Sequence, residues 1–226
     1  MSAASSLPPT PRRSRRKALT WAFVAFFLLP VFGAFGALAY RGGPTHWSQW
    51  DRSVTGRLGD AASHPEARIL VMSGRTRGWK GALAVHSWID IKGAQAQAFI
   101  PRIEAAIKNY QYANYGDYRM WPGPNSNTFV ATVLRSVPEL GVAMPPNAVG
   151  RDYRALPYLG WSDSGTGVEA SLWGVLGVKL GWVEGIELNV LGLVAGLDLR
   201  HPALKLPALG RIGVDAAVAR AAGSRP

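Results

Sequence analysis

Two short stretches of this chain hold residue types that do acyl chemistry. The first is Val85-His86-Ser87-Trp88-Ile89-Asp90, a histidine set in an otherwise apolar run. If that run is a strand, the two-residue alternation puts His86, Trp88 and Asp90 on one face. The second is Pro122-Gly123-Pro124-Asn125-Ser126-Asn127-Thr128-Phe129, which places Ser126 where a helix should begin. A hydroxyl there lies in the positive field of the helix N-terminus, beside backbone N–H groups that lack helical partners. Ser126 as nucleophile, His86 as base and Asp90 orienting the imidazole would make a hydrolase or acyltransferase for an ester or amide.

Each of these residues also has a plainer use. Asn125, Ser126 and Asn127 are all favoured helix caps, and a cap explains them without chemistry. His86 can be a buried histidine bonded to a backbone carbonyl, and Asp90 the solvated end of its strand. Between the two stretches lie Tyr110, Tyr112, Tyr115, Tyr118 and Trp121. Such rings stack on ligands as readily as they pack. Tyr115 and Trp121, with Asn125 and Asn127, are therefore the candidate binding residues, and a non-catalytic binding or structural module is the function expected first. Serine hydrolysis is its alternative.

The elements that must position these residues can be read from periodicity. Arg68–Ser73 and Ala82–Ile91 read as an antiparallel hairpin with Trp79 at its turn. Ile100, Ile103 and Ile107 mark one face of a helix within residues 94–110, with Pro101 starting or kinking it. Asn125–Arg135 reads as a second helix that ends before Pro138. Residues 138–160 look like proline-rich coil. From Gly160 to Gly196 the apolar runs Leu172–Leu180 and Leu188–Leu197 suggest two long glycine-bearing strands, where glycine marks bulges or close backbone approach. The fold class expected is α+β, one small mixed domain of hairpin, two helices and glycine-rich strands.

Apolar residues form 48% of the chain and charged residues 17%, a balance that excludes disorder. The absence of cysteine excludes a disulfide framework, a thiol nucleophile and cysteine-ligated metals. His46, His64 and His201 have no ligand spacing, so no metal site is expected, and no phosphate loop or dinucleotide fingerprint implies a cofactor. Of 25 basic residues, five are Arg12, Arg13, Arg15, Arg16 and Lys17, so much of the net charge of +11 is N-terminal. What remains forms no basic stripe, which argues against a nucleic-acid partner.

From Leu19 to Tyr40 no residue is charged. A helix of that length reaches ~33 Å, enough to cross a bilayer. The chain is thus expected to divide into a basic cytoplasmic tail (1–17), a transmembrane helix (18–40), a linker (41–67) with a short helix near Trp47–Leu58, a domain (68–213) and a frayed tail (214–226). The lipid bilayer is the expected partner of residues 19–40, and the basic cluster predicts an inner-membrane protein with a cytoplasmic N-terminus and the domain outside. A cell-envelope molecule would then be its ligand. Ser14-Arg15-Arg16 and Ala37-Leu38-Ala39 allow a cleaved export signal instead, but the apolar run exceeds the usual signal core.

RTRGWKGALAVHSWI, IPRIEAAI, YRMWPGPNSNTFVATVLRSVPEL with the following GRDY, and SGTGVEASLWGVLGVKLGWVEGIELNVLGL together resemble a bacterial family, domain of unknown function 3750. The resemblance runs from about Arg68 to Gly213 and implies no established activity. The family pattern carries further strand residues before IPRIEAAI, where this chain has only Asp90–Phe99. More distantly, a strand histidine followed by Asn-x-Asn-x-Phe at a helix start is similar to the circularly permuted papain-like hydrolases, such as the lecithin retinol acyltransferase group. That resemblance implies a permuted papain-like fold, with Ser126 standing where those proteins carry a nucleophilic cysteine.

Overall fold

The computed structural model describes residues 12–43, 68–92 and 98–214. The expected helix near Trp47–Leu58 and the frayed tail from Ala216 lie outside those residues. Helix α1 (Arg12–Phe23) passes through a π-helical turn, Val24–Leu28, into α2 (Leu29–Tyr40). Pro30 explains the wider turn. It has no N–H to donate, and its ring crowds the carbonyl one turn back, so a looser stretch before it relieves both demands. Arg15–Tyr40 is long and apolar enough to cross a membrane. The helix begins at Arg12 and takes in the basic residues Arg12, Arg13, Arg15, Arg16 and Lys17.

Strands β1 (Arg68–Arg75) and β2 (Val85–Lys92) pair antiparallel, with Gly74 opposite His86 and Met72 opposite Trp88. The expected hairpin is present, but its connection holds a 3-10 helix, Gly78–Ala82. Helix α3 (Ile100–Lys108) has Pro101 in its first turn, where the missing N–H costs nothing. Helix α4 (Ser126–Arg135) buries Val130, Ala131 and Leu134 with Val85, Met144 and Ala148, while Val133 and Val137 close over Ile103. This apolar core fixes β2 against α4.

The rest of the domain is a seven-stranded antiparallel meander: β3 (Tyr158–Trp161), β4 (Gly167–Leu172), β5 (Leu176–Gly181), β6 (Gly185–Val190), β7 (Leu193–Asp198), β8 (Ala203–Leu206) and β9 (Gly210–Gly213). Two long strands were expected between Gly160 and Gly196; the structure has short ones. The reason lies in the turns. Trp173-Gly174 and Leu191-Gly192 take positive φ, which ends a strand even though Trp and Leu continue the apolar run. Close approach does account for Gly167, where a Cβ would lie 1.9 Å from the Leu180 carbonyl oxygen.

The pairing register lines up one row on each face. Glu169, Lys179, Glu187, Gly196, Lys205 and Arg211 are successive neighbours on the inner face. On the outer face the row is Trp161, Val168, Leu180, Ile186, Leu197, Leu204 and Ile212. The inner charges are paired. Lys179 Nζ lies 2.6 Å from Asp152 and 2.5 Å from Asp163, and Lys205 Nζ 2.5 Å from Glu187. Arg154 reaches Asp163 at 3.0 Å and Glu169 at 2.5 Å, and Arg151 pairs with Glu187. Residues 151–163, which include the Arg-Asp-Tyr of the GRDY segment, thus cap a charged sheet interior.

Candidate active site

The start of α4 is built by Asn125. Its extended backbone makes it the N-cap, and its Oδ1 accepts the N–H groups of Asn127 at 2.9 Å and Thr128 at 3.2 Å. Thr128 Oγ1 in return accepts the Asn125 N–H at 3.1 Å, closing a capping box. Asn125 Nδ2 donates to the carbonyls of Met120 and Val149. Two corrections follow. Ser126 is the first helical residue rather than the cap, so capping does not occupy its hydroxyl. The next two N–H groups, expected to be unpaired, are taken by Asn125; Ser126's own N–H is the one left without an intrahelical acceptor.

Freed from capping, Ser126 Oγ lies 2.7 Å from His86 Nδ1. His86 is exposed and shares its face with Trp88, whose ring centroid stacks 6.4 Å away. The direction of this bond follows the tautomer: with the imidazole proton on Nε2, Nδ1 accepts from the serine hydroxyl. Asp90 stands on the same strand as His86.

Asn127 holds the strand backbone around His86. Its Nδ2 donates to the Val85 carbonyl at 2.8 Å, and its Oδ1 accepts the Ser87 N–H at 3.0 Å. One buried amide therefore grips the backbone on both sides of His86 while sitting one residue after Ser126. Nδ2 also donates to the Val149 carbonyl at 3.0 Å. Asn125 and Asn127, expected to bind a ligand, both line the same cavity as His86 and Ser126 and have their amide groups engaged with the backbone.

His86 and Ser126 open on a cavity of about 320 Å³. Its walls are largely apolar, including Trp79, Leu83, Met120, Trp121, Val149 and Leu191, and among the described residues Lys80 is the one lysine or arginine in them. Trp121 donates its indole N–H to the Leu191 carbonyl at 2.9 Å, which ties the aromatic loop to the β6–β7 turn. Tyr118 also lines the cavity. Tyr115 does not; it is fully exposed and outside the lining. Tyr110 and Tyr112 meet Phe129 and Tyr153 edge-on, and burial pushes the Tyr110 hydroxyl up to about 12, so these two rings are packing. Leu83 and Leu191 carried no sequence signal, because an apolar residue in a turn looks the same whether it lines a cavity or a core.

Among the described residues no group of three or more His, Asp or Glu is placed to hold a metal ion. Residues 89–153 match one known protein family, which covers Ser126, both flanking asparagines and the Arg151–Tyr153 turn. This segment belongs to DUF3750, a family of proteins of unknown function. The DUF3750 match is shorter than the resemblance expected from Arg68 to Gly213, and His86 lies just before it. No curated protein and no solved structure matches the chain.

Proposed function

We propose that this DUF3750 protein is a serine hydrolase or acyltransferase in which Ser126 is the nucleophile and His86 the base. The observation that carries this reading is the 2.7 Å contact between Ser126 Oγ and His86 Nδ1 on the wall of an apolar cavity. A serine hydroxyl is a weak nucleophile until a base takes its proton, and the ring nitrogen is within hydrogen-bond reach. As Oγ bonds to the substrate carbonyl carbon, its proton passes to Nδ1 and the carbonyl electron pair moves onto oxygen. The Ser126 N–H, at the positive end of α4, is the donor nearest in the chain for that oxyanion. Collapse expels the leaving group, which takes the proton from Nδ1. Water or a second acceptor then attacks the acyl-serine by the same route in reverse.

The cavity suits an apolar acyl or aromatic group better than a charged one, since its walls are mostly apolar. The test is covalent labelling of the full chain by a fluorophosphonate, with the adduct located by peptide mass spectrometry. Labelling at Ser126, absent in Ser126→Ala and reduced at least tenfold, about 1.4 kcal/mol, in His86→Ala, is the expected result. An unlabelled, folded protein across alkyl and aryl probes would leave the cavity to ligand binding alone.

A further inference from the structure

The helix that could cross a membrane does not stand clear of the domain. Phe27, Pro30 and Ala34 are its buried residues, a single stripe at helical spacing, and the flanking positions stay uncovered. Around Leu19, Phe23 and Phe26 a groove forms against Ile186, Leu188 and Leu197 on the outer face of β6 and β7. Further along, α2 meets the 3-10 helix Gly78–Ala82, one wall of the candidate active site. An upright anchor with its domain clear of the bilayer would hold the Leu19–Phe27 turns on the far side, out of reach of that sheet.

The outer face continues the helix's apolar surface. Its row from Trp161 to Ile212 crosses all seven strands without a charge, and a second row adds Leu159, Ala170, Val178 and Leu188. Most of these side chains are exposed, among them Leu180 at 48% and Ile212 at 52%. Trp173 and Trp182 stand exposed at turns on opposite ends of β5, where amphipathic rings favour a lipid–water boundary. The charged residues of the same strands face inward and are paired. The helix begins with Arg12, Arg13, Arg15, Arg16 and Lys17, which suits an anionic headgroup layer.

We infer that the outer face of the β3–β9 sheet lies on the lipid bilayer, with the α1–α2 helix alongside it in the same apolar layer. The occupant of this face is lipid, because the face is continuous with the segment that on length and hydropathy belongs in a membrane. The domain then rests on the bilayer, instead of hanging from a single-pass anchor.

The absence of cysteine makes the test direct. The full chain carrying Leu180→Cys, or separately Leu204→Cys, is labelled with an environment-sensitive fluorophore and reconstituted in vesicles of phosphatidylcholine and phosphatidylglycerol. Tyr115→Cys, on the exposed loop, is the reference. The expected result is quenching at 180 and 204 by nitroxides in the acyl chains several-fold stronger than at 115, with iodide quenching several-fold weaker. Equal iodide access at all three positions, with no nitroxide effect, overturns the proposal. Protection from both quenchers, with energy transfer between labelled copies that survives dilution with lipid, overturns it in favour of a second copy of the chain. Two positions on different strands guard against one substitution misfolding, and no readout depends on Ser126.

Discussion

In the hairpin and α4, Val85, Val130, Ala131 and Leu134 are buried, and the polar pair Ser126–His86 lies on an open wall. In the meander the order is reversed. Glu169, Lys179, Glu187 and Lys205 are buried, and Val168, Leu180, Ile186 and Leu204 face outward. Both halves obey the same rule, that a buried polar group needs a partner and a buried charge needs an opposite charge. They differ in what stands opposite. Helix α4 presents an apolar stripe to β2, whereas residues 151–163 present Arg151, Asp152, Arg154 and Asp163 to the sheet. A strand's alternation says that two faces differ; its neighbour decides which of them is inside.

The largest effect that would test this contrast is expected at Lys179. Lys179→Met leaves Asp152 and Asp163 short of their shared cation, and removing one partner of a buried pair costs about 3–5 kcal/mol. Ile212→Ser, on the outer face, should move stability of the detergent-solubilised chain by less than about 0.5 kcal/mol. Denaturant unfolding of both variants decides it, and a costlier Ile212→Ser would break the assignment of faces.

Next in size is Asn127→Ala, which orphans the Val85 carbonyl and the Ser87 N–H. Each buried group left unpaired costs about 1–3 kcal/mol. Because those groups flank His86, fluorophosphonate labelling should slow even at temperatures where the variant is fully folded. Asn127→Asp keeps the acceptor for Ser87 and should fall between the two. Labelling at the native rate in folded Asn127→Ala would show that the apolar core alone holds the pair together.

The smallest effect concerns pH. Burial pushes the Glu169 carboxyl up to about 7, against the pull of Lys179 and Arg154. Its folded value exceeds the ordinary 4.5, so the stability it contributes is present at acid pH and is lost as pH rises through about 7. Asp152 and Asp163 work oppositely. Burial raises them, but Arg151 and Lys179 on Asp152, and Lys179, Arg135 and Arg154 on Asp163, outweigh it and hold both low. Their contribution is present above the ordinary 3.8 and lost as pH falls below it. Thermal melts from about pH 5 to 8 should show a decline that Glu169→Gln flattens. A decline unchanged in that variant would remove Glu169 as its source.

Much of this architecture follows from short-range chemistry. The uncharged run from Leu19 to Tyr40 permits little besides an apolar helix, and Pro30 makes its local widening intelligible. Alternation around His86 marked a strand with that ring and Trp88 on one face, and Asn125-Ser126-Asn127 marked a helix start. These signals depend on neighbours within one or two turns of chain, which the order of residues carries in full. The division of Gly160–Gly196 into several strands did not, because Trp173 and Leu191 entered turns while preserving the apolar run.

What the tertiary structure alone decided is which groups meet. His86 and Ser126 are 40 residues apart; their residue types suggested a pair, but only the fold puts Oγ 2.7 Å from Nδ1. They come together because Asn127, read locally as one more polar residue at a helix start, spends its amide on the backbone around His86. Likewise nothing in the alternation of β4–β9 says that the charged row faces inward. Arg151, Arg154, Asp152 and Asp163, brought over the sheet by the chain before and after β3, settle it by neutralising that row and leaving the aliphatic face outside. Local periodicity is written residue by residue; pairing across the fold depends on the energy of groups that only packing makes neighbours.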